Sequence, residues 1–86
     1  MTEWEKMQAG LAYNDFNRDL FDRRVYAKRL FRAYNRTDDD ETDARAQIMH
    51  DLFRQVGKNV WIEPDFRCEF GKNITIGDNV YINFGC

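Results

Sequence analysis

The fold is decided by the stretch Val60 to Cys86, VWIEPDFRCEFGKNITIGDNVYINFGC. Its apolar residues recur in steps of six on two tracks, one holding Ile62, Cys68, Ile74, Val80 and Cys86 and the other Phe70, Ile76 and Ile82. Each residue of the second track precedes a small or turn-forming one: Gly71, Gly77 and Asn83. Residues two apart lie on the same face of a strand, and glycine or asparagine permits a corner. Short strands with a corner every six residues predict the hexapeptide repeat of a parallel β-helix.

A β-hairpin or meander with glycine turns is the alternative, but it requires no fixed period of six. The repeat resembles that of the hexapeptide acyltransferases, whose β-helix is left-handed and whose coils each contain three hexads. The resemblance implies that residues eighteen apart stack on each other, giving the pairs Ile62 and Val80, Phe66 and Phe84, and Cys68 and Cys86.

Composition describes one small domain that can bury a core. The chain has 86 residues, 43% of them hydrophobic and 15% aromatic, which is not the composition of a disordered chain. A net charge of −2 gives no overall electrostatic case for nucleic acid or an anionic membrane. We expect no nucleic-acid or membrane partner, since there is also no apolar run long enough to span a bilayer and no signal peptide.

The two cysteines predict a location. Cys68 and Cys86 both fall on an inward track, so they are expected to be buried, reduced thiols of a cytoplasmic protein. A disulfide is less favoured, and no metal site is predicted, because the chain has one histidine and no close cluster of cysteine and histidine.

Three amphipathic helices are predicted before the repeat. Thr2 and Glu5 fit a capping box at the start of the first helix, which Gly10 ends. Asp19 is expected to cap a second helix that runs to about Asn35. A third helix follows the acidic run 38–41 and extends to about Val56, before Gly57.

The second helix carries five basic residues: Arg23, Arg24, Lys28, Arg29 and Arg32. A nucleic-acid surface is one interpretation. A solvated helix face is favoured over it, because acidic residues flank the segment and no stacking aromatics interleave. His50, beside Asp51, is likewise interpreted as a solvated residue rather than a catalytic one.

Three segments together are similar to the maltose/galactoside O-acetyltransferase family: MQAGLAYND, the helix end AYN, and LFRQVGKNVWIEPDFRCEFGKNITIGDNVYINFGC. The resemblance covers almost the whole chain and implies an α+β fold. Residues 1–57 would form the helical maltose acetyltransferase cap domain, and residues 58–86 the first, incomplete coils of a left-handed β-helix. Full-length members transfer acetyl from acetyl-CoA to a sugar hydroxyl and are trimers with active sites between subunits.

The resemblance carries three acceptor-binding positions onto this sequence: Asp15, Asn83 and Glu69. Relatives have Ser or Asp where Glu69 stands. Converging carboxylates and amides suit a sugar, which is bound through many hydrogen bonds. Each residue also has a simpler interpretation, Asp15 as a turn former and Asn83 as a corner residue stacked over Asp65.

By the same resemblance, the catalytic histidine and the coils that bind coenzyme A would lie beyond Cys86. The chain is therefore expected to be the N-terminal part of such an enzyme, with no catalytic residue, no acetyl-CoA bound by itself, and no activity alone. Two alternatives remain: a non-catalytic module that binds a sugar or a partner, and the remnant of a disrupted acetyltransferase gene. Self-association is expected through the open end of the β-helix.

Overall fold

The computed structural model describes all residues from Met1 to Cys86 and shows three helices followed by short strands. The helices are α1 (Glu3–Gln8), α2 (Arg18–Asn35) and α3 (Thr42–Leu52). The strands have two residues each and are β1 (Gln55–Val56), β2 (Trp61–Ile62), β3 (Thr75–Ile76) and β4 (Tyr81–Ile82), with a 3₁₀ turn at Gly71–Asn73. None of the helices has the length and apolar character needed to cross a membrane.

The predicted capping box starts α1. The Thr2 hydroxyl accepts a hydrogen bond from the Glu5 amide at 3.0 Å, and the Glu5 carboxylate accepts one from the Thr2 amide at 2.9 Å. Two backbone donors that a helix leaves unpaired at its N-terminus are thereby satisfied. Gly10 lies two residues beyond the helix with φ +75°, a conformation that favours glycine.

The N-cap of α2 is Asn17, so the prediction of Asp19 was wrong. The Asn17 side-chain oxygen accepts from the amides of Asp19 and Leu20. Asp19 lies in the first turn instead, where its negative charge interacts favourably with the helix dipole. It also pairs with Arg23 at 3.0 Å. Both residues are good caps by type, and the extended backbone at Asn17 (ψ 142°) decides between them.

The core lies between α2, α3 and the first strands. It consists of Ala27, Phe31, Tyr34, Met49, Leu52, Phe53, Ile62, Phe66 and Ile76. The rings of Phe53 and Phe66 meet edge-to-face at 5.6 Å, which joins the end of the helical segment to the strand segment. Removing these side chains from water is the main favourable contribution to the fold.

Arg45 is buried in α3, which the sequence did not indicate. Its guanidinium donates to the Thr37 hydroxyl at 2.7 Å and to the Asp39 carboxylate at 3.2 Å. It also lies 5.3 Å from the ring centroids of both Tyr34 and Trp61. A buried charge needs such partners, so Arg45 fastens the loop between α2 and α3 to the core.

The third helix ends at Leu52, four residues before the predicted end at Val56. Phe53 is already extended (φ −91°, ψ 160°). Gln55 and Val56 form β1, and the Arg54 amide donates to the Ile74 carbonyl at 3.0 Å. Helical spacing continues through Val56 in the sequence, but pairing with a distant strand satisfies the same backbone groups and takes precedence.

The strands form two parallel pairs, β1 with β3 and β2 with β4. Their register joins Gln55 to Thr75, Val56 to Ile76, Trp61 to Tyr81, and Ile62 to Ile82, so partners are twenty residues apart. The predicted separation of eighteen was wrong, and Ile62 lies beside Ile82 rather than Val80. The step of six holds from β1 to β2 and from β3 to β4, while the segment from β2 to β3 is two residues longer than two hexads.

This register also separates the two cysteines. The Gly85 amide donates to the Asp65 carbonyl at 3.3 Å, which continues the twenty-residue offset to the end of the chain. Cys68 is half-buried and Cys86 is exposed, and both are free thiols. The prediction of two buried cysteines in one stack was therefore wrong for Cys86, and Phe66 is likewise not paired with Phe84, because the longer segment shifts every later residue by two.

Candidate functional site

Asp15 and Glu69 are brought together by Arg24, and we call these three residues the Arg24 cluster. Arg24 pairs through Nη2 with the Asp15 carboxylate, donates through Nη1 to the Asp15 carbonyl at 2.8 Å, and donates through Nε to Glu69 at 3.0 Å. The Arg24 side chain is 15% exposed, whereas the two carboxylates are more than half exposed. The arginine thus fixes two carboxylates whose remaining acceptor positions face solvent.

Aromatic stacking positions Arg24. Its guanidinium lies 4.9 Å from the Phe70 ring centroid, and the Trp4 ring meets Phe70 edge-to-face at 5.7 Å. On the other side, Arg23 lies 3.9 Å from the centroid of Trp4. This alternating stack of rings and guanidiniums docks α1 on α2.

The turn that carries Asp15 is held by α1. Glu3 accepts a hydrogen bond from the Asn14 amide at 2.8 Å and another from Lys6 at 3.1 Å. The bond from the Asn14 amide, followed by that from Lys6, lowers the pKa of Glu3 below its ordinary value. The Asn14 side chain in turn accepts from the Phe16 amide at 3.1 Å. Asp15 is therefore presented by an ordered turn.

An aromatic surface adjoins the cluster. A shallow pocket is lined by Asp15, Phe16, Arg18, Phe21 and Arg24. Phe16 is 93% exposed, and the Phe21 ring is covered on one side by the Arg18 guanidinium at 5.3 Å. Polar groups next to exposed rings can bind a molecule that has hydroxyl groups on its edge and C–H groups on its face.

Asn83, the third predicted residue, lies apart from the cluster. It follows β4, and its side-chain oxygen accepts from the Phe84 amide at 2.8 Å. The twenty-residue register places Glu63, not Asp65, beside it, since the Glu63 amide donates to the Ile82 carbonyl at 2.8 Å. Within one chain the structure joins Asp15 to Glu69 and leaves Asn83 separate.

His50 faces Asp51 rather than the cluster. Its Nδ1 lies 3.4 Å from the Asp51 carboxylate, and its side chain is 79% exposed. The pKa of Asp51 is lowered chiefly by the hydrogen bond from Gln47 and next by that from His50. No group of three or more histidine, cysteine, aspartate or glutamate side chains is placed to hold a metal ion.

Arg24 is the functional candidate that sequence reasoning missed, because it was grouped with the solvated face of α2. Its partner Glu69 is 45 residues away. A local pattern cannot show such a contact. The one available signal was that two of the three candidates, Asp15 and Glu69, are acidic, since a neighbouring positive charge stabilises converging carboxylates.

Comparisons with known proteins agree with this architecture. Residues 6–57 match the family model described as the maltose acetyltransferase hexapeptide capping motif. The galactoside O-acetyltransferase of Escherichia coli K12 is 34% identical over 80 residues, which are 93% of this chain and 39% of that protein. The chain spans less than half the length of the curated relatives it matches.

Two solved structures are similar over nearly the whole chain. A maltose O-acetyltransferase from Clostridium difficile 630 superposes with a TM-score of 0.87 at 35% identity, over 96% of this chain and 55% of that one. A hexapeptide-repeat acetyltransferase from Vibrio cholerae O1 biovar eltor, solved with acetyl coenzyme A, has a TM-score of 0.84 at 34% identity, over 98% of this chain and 45% of that one. Because the family model covers more than half of the sequence, the chain belongs to the maltose acetyltransferase capping family.

Proposed function

We propose that these 86 residues are the N-terminal part of an acetyl-CoA-dependent sugar O-acetyltransferase and contribute residues that bind the acceptor sugar. The observation that carries the proposal is the Arg24 cluster, in which Asp15 and Glu69 converge on one arginine. Carboxylates accept hydrogen bonds from sugar hydroxyls, and the guanidinium can donate hydrogen bonds to the oxygens of the same hydroxyls. The exposed ring of Phe16 offers an apolar face beside the cluster.

Asn83 is assigned to the same acceptor site through a second copy of the chain. It is exposed and lies apart from the Arg24 cluster in its own chain. A trimer with sites between subunits, as the family resemblance implies, would let Asn83 of one copy face the cluster of another. Asn83 then joins the site only on assembly, whereas Asp15 and Glu69 already converge within each single chain.

The strand segment is proposed to be the start of a left-handed β-helix. Two parallel pairs with six-residue steps along two sides support this, and the solved relative from Vibrio cholerae is a hexapeptide-repeat protein. In this proposal residues 1–57 form the cap and residues 58–86 begin the coils. The free cysteines fit a reducing compartment, and we place the protein in the cytoplasm.

The acyl donor is proposed to be acetyl-CoA, on the basis of the relative solved with it. We assign no catalytic or donor-binding residue within these 86 positions. His50, the one histidine, is exposed and faces Asp51, and it has no nucleophile or acceptor site beside it. The 86-residue chain alone is therefore expected not to transfer acetyl groups, since a positioned general base contributes about a hundredfold to ten-thousandfold in rate.

A non-catalytic sugar-binding module is the second candidate. It is favoured by the fact that the Arg24 cluster is fully formed within one chain. Both candidates predict sugar binding. Only the first predicts acetyl transfer once these residues are part of a complete, trimeric enzyme.

The test is sugar binding by the 86-residue chain, measured by NMR titration with maltose, a methyl galactoside and glucose. Asp15→Asn and Glu69→Gln should each weaken binding about tenfold, as expected for loss of a charge-assisted hydrogen bond. Asp40→Asn, an exposed carboxylate in the loop before α3, is the matched control. Binding that is absent, or equal in all variants, would refute the acceptor-site proposal. Thiol release from acetyl-CoA, followed in parallel, tests for activity of the chain alone.

A further inference from the structure

A second concave surface lies beside the Arg24 cluster, between α2 and the segment 65–69. Its volume is about 830 Å³, within the range of small-molecule sites. Four basic side chains line it: Lys28 and Arg32 on α2, Arg36 at the C-cap of that helix, and Arg67 from the facing segment. We call this surface the basic cleft. Its other lining residues are Phe31, Asn35, Asp65, Cys68 and Glu69.

The four basic side chains of the basic cleft form no ion pair within the chain. The ion pairs of the chain use other basic residues: Lys6, Arg18, Arg23, Arg24, Arg45 and His50. Of the two carboxylates in the cleft, Glu69 is already paired with Arg24. Like charges four residues apart on a helix destabilise it. A bound anion would offset the repulsion among these cations.

The walls of the basic cleft are held in place. The Asn35 side chain donates to the Phe66 carbonyl at 3.0 Å and accepts from the Phe66 amide at 2.9 Å, across 31 residues of sequence. Phe66 and Phe31 are both buried in the core beneath. The facing segment is therefore fastened to α2 by two hydrogen bonds between the Asn35 side chain and the Phe66 backbone, and the basic side chains project from a rigid support.

We propose that the basic cleft binds the phosphate group of a phosphorylated sugar. Arginine guanidiniums bind phosphate oxygens in pairs, and a dianion gains from several cations at once. Glu69 belongs to both the basic cleft and the Arg24 cluster, so one ligand can place its hydroxyls on the cluster and its phosphate in the cleft. The choice of a sugar rests on the proposed function. The choice of a phosphate rests on the cleft alone.

The experiment is NMR titration and calorimetry on the full 86-residue chain with glucose 6-phosphate, maltose 1-phosphate, glucose, inorganic phosphate and a short oligonucleotide. The cleft variant is Arg32→Gln with Arg36→Gln. The matched control is Arg29→Gln, an exposed arginine of the same helix that does not line the cleft. Circular dichroism establishes that all variants keep their helices.

A sugar phosphate should bind at least about tenfold more tightly than glucose, and the cleft variant should lose about that factor while Arg29→Gln does not. Inorganic phosphate should shift the resonances of the same arginines. The proposal is overturned if no phosphate compound binds, if the cleft variant binds as well as the control variant, or if a short oligonucleotide binds more tightly than either sugar phosphate.

The outcomes separate this inference from the acceptor-site proposal. Binding of a sugar phosphate that depends on Arg32 and Arg36 but is unchanged by Asp15→Asn supports the cleft and counts against the acceptor site. Sugar binding that depends on Asp15 but gains nothing from a phosphate overturns the cleft and leaves the acceptor site standing.

Discussion

The Tyr34 hydroxyl donates a hydrogen bond to the Ile62 carbonyl at 2.7 Å, in the interior between α2 and β2. Both residues are buried core members. Burial raises the pKa of Tyr34, so it remains a neutral donor. The bond satisfies a carbonyl on the edge of β2 that has no strand partner, and it ties the helical segment to the strand segment.

Tyr34→Phe should destabilise the chain by about 1–3 kcal/mol, because it leaves the buried Ile62 carbonyl without a donor. Urea unfolding followed by circular dichroism measures the change. Tyr26→Phe, which alters a half-exposed tyrosine on the same helix, should stay within about 0.5 kcal/mol of the wild type. Equal stability of the two variants would contradict a role for the Tyr34 bond.

Gly71→Ala should destabilise the fold strongly, by about 1–3 kcal/mol or more. A Cβ at Gly71 would lie 2.3 Å from the Leu52 carbonyl oxygen and 2.5 Å from Leu52 Cδ1. The backbone there cannot retreat without moving the end of α3. Gly77→Ala is the control, since a Cβ at Gly77 meets nothing within 4 Å. Thermal melts of the two variants that coincide would show that the close approach at Gly71 is absent in solution.

Docking of α1 should weaken in acid. The pKa of Glu3 is lowered in the folded chain from an ordinary 4.5 by its bonds to the Asn14 amide and Lys6. Its contribution to stability is therefore complete above about pH 4.5 and is lost as the pH falls through the lower, folded pKa. Trp4 fluorescence should report this loss, because Trp4 lies in the stack of Arg23 and Phe70.

The variant Glu3→Gln should undock α1 partially at neutral pH and flatten the acid transition of Trp4. Glu41→Gln, at an exposed position before α3, should leave that transition in place. An unchanged pH profile in Glu3→Gln would assign the transition to another group.

The two cysteines should differ in reactivity. Burial raises the pKa of the Cys68 thiol to about 11, whereas Cys86 is exposed. Since the thiolate is the reactive form, iodoacetamide at pH 8 should modify Cys86 first and Cys68 much more slowly. Cys68→Ser should remove only the slow phase, and urea should merge the two phases. Two equally fast phases in the native chain would contradict the half-buried placement of Cys68.

The raised pKa of Cys68 also makes the stability of the fold depend on pH in the alkaline range. Because the folded value lies above the unfolded value of about 9, the stability that Cys68 contributes is present below pH 9 and declines as the pH rises toward 11. The free energy of unfolding of Cys68→Ser should change less with pH in this window than that of the wild type.

The strand end should promote self-association. Each sheet has only two strands, so β4 has an edge without a partner in the chain, and the neighbouring rings of Tyr81 and Phe84 are exposed. Such edges pair with other copies. Phe84→Ser should lower the sedimentation coefficient at high concentration, whereas Phe16→Ser, at an even more exposed ring outside the strand segment, should not. A wild-type chain that stays monomeric would refute the prediction.

Local features of this protein could be predicted from the sequence. The capping box of Thr2 and Glu5 spans three residues, and its bonds need no distant partner. The helical cores follow in part from apolar spacing, since Ala27, Phe31, Tyr34, Met49 and Leu52 recur at helical intervals and are buried. The six-residue step from β3 to β4 also follows from alternation and corner residues.

Only the tertiary structure decided the register, the end of α3 and the composition of the Arg24 cluster. The segment between β2 and β3 adds two residues, so Ile62 meets Ile82, and no local pattern reports how a longer connection is accommodated. Val56 is compatible with a helix by spacing, but hydrogen bonding to a strand twenty residues later places it in β1. Arg24 reaches Glu69 across 45 residues because the core brings α2 and the strand segment together. Short-range bonds act within a few residues of sequence, whereas these contacts exist only after burial of Phe31, Phe53 and Phe66 has closed the chain on itself.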